Sequence, residues 1–186
     1  MLVKGAAVNI LPKYVQKNFG KDALSQWMDT ITPAAREVFD GSVSSKDWFP
    51  LKEAFVEPTA ILCQLFYNWD YKGAWELGRY SADQSLRGIF KLFVKFGSPE
   101  VLVNRAGTAF STYYHPSSIK VQTDDQGFPI MRIMEFSDID KLVEMRIGGW
   151  IERALEISGC KNVQIKINQS LTKGDACTEY RIFWDK

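Results

Sequence analysis

SLTKGDACTEYRIFW, residues 170–184, decides how the fold of this chain is read. Thr178, Tyr180, Ile182 and Trp184 recur at every second position, the period of a strand that buries one face. Lys173-Gly174-Asp175 supplies the turn before it, and Val163, Ile165 and Ile167 alternate with Gln164, Lys166 and Asn168 on the other side. Together these make a hairpin. Moving outward, Ile139, Leu142, Val143, Ile147, Trp150, Ile151, Ala154 and Leu155 fall at helical steps, with Ser137 and Asp138 as the cap and Gly159 as the stop. Further upstream, Ile119 and Val121 alternate with Lys120 and Gln122. A cluster at 124–127 turns the chain, and residues 130–136 form a second apolar run of strand length. The carboxy-terminal part is therefore expected to be a β-β-α-β-β unit. Hairpins pair antiparallel, so it should form a four-stranded antiparallel sheet backed by the helix over 138–158.

The preceding residues read as helical. Val3, Ala6, Ala7, Ile10, Tyr14 and Val15 are spaced for a first helix ending near Gly20, and a second runs through Trp27 and Met28. Thr32 before Pro33 is a capped start, and Asp40-Gly41 a stop. Pro50 opens a run with Phe55, Ile61, Leu62, Leu65 and Phe66 that Pro58 should kink or divide, and Asn68-Trp69-Asp70 should break it. A long helix is expected over 71–96, closed by Gly97. Ser98-Pro99 then begins another helix that Pro116 ends. The fold class is α+β: an N-terminal helical layer over about residues 1–116, then the ββαββ part over about 117–186, in one domain spanning 1–186.

Composition narrows the functions. The chain has 186 residues, 46% of them hydrophobic, enough for a substantial core. Its 23 basic and 22 acidic residues leave a net charge of +1, so no long-range field gathers nucleic acid, and no nucleic-acid partner is expected. No run reaches the roughly 18 apolar residues of a membrane span. The amino terminus reads as a first helix and not as a signal peptide. Cys63, Cys160 and Cys177 are odd in number and widely spaced, which suits reduced thiols in the cytoplasm and argues against zinc or any other metal.

No cluster of catalytic residue types appears, and neither a nucleophile elbow nor a phosphate-cradling loop is present, so no catalytic residue is expected. His115, the only histidine, could serve as an axial haem ligand; its plain alternative is a helix-end histidine. Cys177 could be a reactive thiol, or a small buried hydrophobe of its strand. Gly148-Gly149 in mid-helix signals either a close helix-to-sheet approach or room for a ligand. Arg79, Arg87 and Arg105 could converge on an anion or simply lie on solvated faces. Trp75, Phe90, Phe93, Phe110, Tyr114 and Trp150 are the aromatic and apolar residues expected to line a pocket between helices and sheet.

Gly148-Gly149-Trp150 through Gly159, Val163-Gln164-Ile165, Lys173-Gly174-Asp175-Ala176-Cys177 and residues 180–184 resemble the carboxy-terminal half of the 4-vinyl reductase domain family. That family shares its fold with the haem nitric-oxide/oxygen-binding domains and with trafficking subunits of the TRAPP complex. Val3-Lys4-Gly5, Phe19-Gly20 and Trp27 are similar to the start of the haem sensors, and Leu77-Gly78-Arg79 to an uncharacterised bacterial branch. The resemblance implies this fold and a sensory role. The chain departs from it at Ser170, where many vinyl-reductase domains carry an earlier cysteine. It also lacks the Tyr-x-Ser-x-Arg motif that holds haem propionates in the sensors.

The expectation is thus a non-enzymatic, cytoplasmic sensory domain with no cofactor, holding a small hydrophobic molecule between helices and sheet. The alternatives are a haem-based gas sensor with His115 as axial ligand and an interaction module acting as a homodimer or on a signalling partner.

Overall fold

Leu2–Lys4, expected to open a helix, is a strand, β1, in the computed structural model, which describes residues 1–86, 101, 103 and 110–185. It pairs antiparallel with β2 (Trp48–Pro50) and with β3 (Tyr114–His115), Val3 standing opposite both Phe49 and Tyr114. The backbone groups of this short segment find partners in two distant stretches of chain, and no local periodicity announces such a pairing. A second, three-stranded sheet results.

The helices follow the expected punctuation. α1 (Gly5–Val8), α2 (Ile10–Phe19) and α3 (Lys21–Thr30) precede α4 (Pro33–Asp40), where the Thr32 hydroxyl accepts the Ala35 N–H at 3.2 Å. A π-helical turn, Lys52–Val56, widens the coil just ahead of α5 (Glu57–Tyr67). Pro58 follows just after this turn, and the helical run continues through it to Tyr67 undivided. Asn68 and Trp69 then take left-handed conformations (φ 51° and 66°) and break it. α6 covers Lys72–Ser85. The expected continuation to residue 96, the Gly97 stop and the Ser98-Pro99 start lie outside the described residues.

β4 (Ser118–Thr123), β5 (Pro129–Glu135), α7 (Lys141–Ile157), β6 (Lys161–Gln169) and β7 (Thr178–Asp185) complete the chain. The cap of α7 is Asp140, not Ser137 or Asp138: its carboxylate accepts the Leu142 N–H at 2.8 Å, while Asp138 takes a positive φ of 57° in the approach. The sheet is antiparallel with order β4-β5-β7-β6, so the stretch quoted first ends in a central strand. Met131 pairs with Tyr180, and Ile165 with Ile182. Val143, Ile147, Ile151 and Leu155 of α7 lie in one core with Met131, Ile133, Tyr180 and Ile182 of the sheet. A second core joins α2, α3, α5 and α6 through Leu11, Tyr14, Trp27, Leu62 and Leu77.

α6 crosses α7 at very short range. A Cβ on Gly78 would stand 2.1 Å from the Arg146 carbonyl oxygen, and one on Gly149 would stand 2.1 Å from that of Trp75. The glycines in α7 therefore serve a helix-to-helix contact, in place of the helix-to-sheet approach expected from sequence. Gly148 receives the Trp75 ring, which a Cβ there would meet at 2.4 Å. Around this crossing Arg79 binds Glu152 and Glu156, and Arg153 binds Asp83 and Glu156. Burial opposes ionisation of Glu156, yet the hydrogen bonds from Arg79 and Arg153 together hold its carboxyl below the usual range.

Candidate ligand cavity

A cavity of about 470 Å³ lies where α1, α2, the end of α6, β5 and α7 meet. Its apolar side is made by Ala7, Ile10, Phe110, Met131, Ile147 and Ile151, all buried. Each occupies the inward position of its own element: Ile147 and Ile151 are one helical turn apart on α7, and Met131 faces α7 from the sheet. The polar side is Asn9, Lys13, Ser45, Ser81, Gln84 and Ser85, all exposed or half-buried. The cavity thus runs from a wet rim to an apolar interior, in the size range of about 300–1,000 Å³ that takes small organic ligands.

Three of the expected lining residues are brought together here. Phe110 and Tyr114 stand with ring centroids 4.9 Å apart, and both pack on Phe136 at 6.1 and 5.4 Å. Trp150 lines the same space from α7, its indole N–H donating to the Ser85 hydroxyl at 3.4 Å. Trp75 does not belong to the described lining. Its ring is committed to the α6–α7 crossing over Gly148, and its indole N–H donates to Glu152 at 2.8 Å. Phe90 and Phe93, with Arg87 and Arg105, lie outside the described residues.

His115 is not among the described lining residues either. It sits exposed on β3, two residues past the last helical residue, Tyr113, with its ring 5.9 Å from that of Trp48. Arg79 is taken up by carboxylates of α7, which is a structural use of its charge. Cys177 is buried just before β7 and donates to the Gln169 side-chain oxygen at 3.0 Å; burial pushes its thiol up. Burial also pushes the Cys63 thiol up to about 11. Neither is set up as a thiolate nucleophile. Among the described residues no His, Cys, Asp and Glu group is placed to hold a metal ion.

Sequence reasoning missed Arg146. It lies in mid-α7, 3% exposed, and lines the cavity. Its Nη2 donates to the Ala7 carbonyl at 2.8 Å, and its guanidinium lies 4.3 Å over the Phe55 ring, while Nη1 has no partner among the described residues. Burial lowers its pKa to about 10, with the nearby Tyr114 and Tyr113 acting the other way. The signal was present in the sequence: residue 146 is one helical turn from Leu142, Val143 and Trp150, so an arginine interrupts the apolar stripe of α7.

A second buried charge is satisfied internally. Glu144, with no exposed surface, accepts from Ser170 Oγ at 2.7 Å, from Thr178 Oγ1 at 2.6 Å and from Lys141 Nζ at 3.1 Å. Ser170 therefore ties the β6–β7 turn to α7, a structural task at the position where the resemblance would place a cysteine.

The sequence matches no protein-family model and no curated protein. Solved structures do match in fold. The crystal structure of an H-NOX protein from S. oneidensis in the Fe(II)NO ligation state gives a TM-score of 0.76 at 15% identity, over 98% of this chain and 99% of that one. The Fe(II) unliganded H-NOX protein from K. algicida gives 0.69 at 10% identity, over 98% and 97%. A mutant H-NOX from T. tengcongensis gives 0.64 at 13% identity, over 98% of each. This chain has the H-NOX fold, in agreement with the α+β architecture and the resemblance to haem nitric-oxide/oxygen-binding domains read from sequence. No helix among the described residues is long and apolar enough to cross a membrane.

Proposed function

We propose that this chain is a non-enzymatic sensory domain on the H-NOX fold whose cavity takes a small molecule with an apolar body. The observation that carries the reading is the 470 Å³ space itself, apolar inside and polar at its rim. The cavity is walled by both α6 and α7, which touch backbone to backbone at Gly78 and Gly149. A ligand seated there favours one packing of these helices over another and so alters the surface offered to a partner.

Haem is the second reading, and the structural neighbours, crystallised in Fe(II) and Fe(II)NO states, favour it over other apolar ligands. The residues placed here fit it incompletely. The single histidine of the chain lies exposed against Trp48, and none of Cys63, Cys160 and Cys177 is among the described lining residues, so the cavity offers iron neither imidazole nor thiolate.

Two titrations test the readings. The uncharged fluorophore N-phenyl-naphthylamine should bind saturably to the purified protein, and Ser81→Trp, which fills the rim, should abolish binding without changing the melting temperature. No saturable binding, or binding indifferent to Ser81→Trp, refutes the cavity reading. Hemin titration addresses haem: a Soret band that His115→Ala removes establishes histidine ligation, and absence of any band eliminates haem.

A further inference from the structure

We propose that the ligand of this cavity carries an anionic group, a carboxylate or its equivalent, and that Arg146 is the residue that binds it. This deepens the cavity reading above and rests on it. Three arginines at the helix crossing and on the sheet each face a carboxylate: Arg79 faces Glu152 and Glu156, Arg153 faces Asp83 and Glu156, and Arg132 faces Glu179 at 2.7 Å. Arg146, more deeply buried than any of these, faces none among the described residues. Its Nη2 is held by the Ala7 carbonyl and its flat face by Phe55, so the guanidinium is fixed in place while Nη1 is left without a partner among the described residues.

A buried cation without a counter-charge is costly, and native proteins pair such groups or bind something to them. The described lining supplies no acid. It supplies a second cation, Lys13 at the exposed rim, and otherwise neutral side chains. The titratable groups beside the guanidinium are Tyr113 and Tyr114, and burial pushes the Tyr114 phenol up, so it stays neutral near pH 7. Burial lowers the Arg146 pKa to about 10, and an anion beside the guanidinium would act the other way. A carboxylate is the simplest occupant, since the fork of a guanidinium matches its two oxygens. Arg146 sits among Ile147, Trp150, Met131 and Tyr114, so the rest of the ligand is apolar. The chemical class is an organic acid with a hydrophobic body.

The test is displacement of bound N-phenyl-naphthylamine by decanoate and by decanol at neutral pH, which differ in the charged group and share the apolar chain. Decanoate is expected to displace the probe at a concentration about 10- to 100-fold lower than decanol, the range of one charge-assisted contact. Arg146→Gln should remove that difference, and Arg146→Lys should restore part of it. Equal displacement by acid and alcohol in the unaltered protein overturns the inference while leaving the cavity reading intact, and this comparison needs no variant to fold. A decanoate preference that survives Arg146→Gln also overturns it. Failure of the probe itself to bind overturns both.

Discussion

Gly149→Ala is the substitution whose outcome depends most sharply on the α6–α7 crossing. Alanine is favoured over glycine inside a helix by about 1 kcal/mol, so with space around residue 149 the change would stabilise the protein. The space is absent: the new Cβ would stand 2.1 Å from the Trp75 carbonyl oxygen, more than 1 Å short of the 3.4 Å at which ordinary contact begins. The obstacle is backbone and cannot rotate aside, so α6 and α7 must separate along a line that also carries Leu77, the Trp75 ring and the Arg79 ion pairs. Overpacking of this kind costs about 1–3 kcal/mol, and the rigid carbonyl places it at the upper end. After the propensity gain the net loss is about 1–2 kcal/mol, which for a chain of this length lowers the melting temperature by about 2–8 °C. Gly41→Ala is the control, because nothing lies within 4 Å of a Cβ there and φ is −96°. It should leave stability unchanged or raise it by a few tenths of a kcal/mol. Thermal melts followed by circular dichroism, with urea unfolding at 25 °C, read both. A Gly149→Ala protein as stable as the parent, or more stable, refutes the backbone-to-backbone crossing.

Other expectations concern charge and thiols. Ser170→Ala removes a hydroxyl that donates to the fully buried Glu144 and should cost about 1.5–3 kcal/mol, read as a lower urea midpoint with an unchanged slope. Glu156 has a depressed folded-state pKa, so its contribution to stability is complete above the ordinary carboxylate value of 4.5 and is lost as the pH falls through the lower folded value. Arg79→Gln should flatten that part of the acid profile, and a profile identical to the parent's would contradict the pairing. Cys63 is buried, with its thiol pushed up to about 11, and at pH 8 a thiol-disulfide reagent should modify it only as fast as the protein opens. Rapid modification in the folded state would show that α5 is not packed as described.

Much of the architecture follows from local pattern. The alternation of Thr178, Tyr180, Ile182 and Trp184, the turn at Gly174 and the apolar stripe of α7 lead to the four-stranded sheet and its helix, because each is a short-range signal of a buried face. The three-stranded sheet was not legible: Leu2–Lys4 is too short to show a period, and its partners near residues 49 and 114 are set by tertiary packing. The same holds at His115, which lies just past helical residue Tyr113 but is paired into β3 opposite Leu2. Of the six residues expected at a pocket, Phe110, Tyr114 and Trp150 lie along the cavity. Trp75 is aromatic too, but the glycines of α7 let its ring pack into the helix crossing instead. Of the arginines weighed for an anion from sequence, Arg79 is taken up by carboxylates, and Arg146 was not among them. Its position on an otherwise apolar stripe was the clue, and which partner it lacks is a fact of three dimensions.

Occupancy of the cavity by an apolar acid is tested most directly by NMR of the isotope-labelled protein during titration with decanoate. The expected result is progressive shifts of the Trp150 indole N–H, the Ala7 amide and the Arg146 side-chain N–H, all at the cavity, with the exposed Trp48 and Trp69 indoles unmoved. Shifts confined to Trp48 or Trp69, or a spectrum that does not change at Trp150 and Arg146, would contradict it.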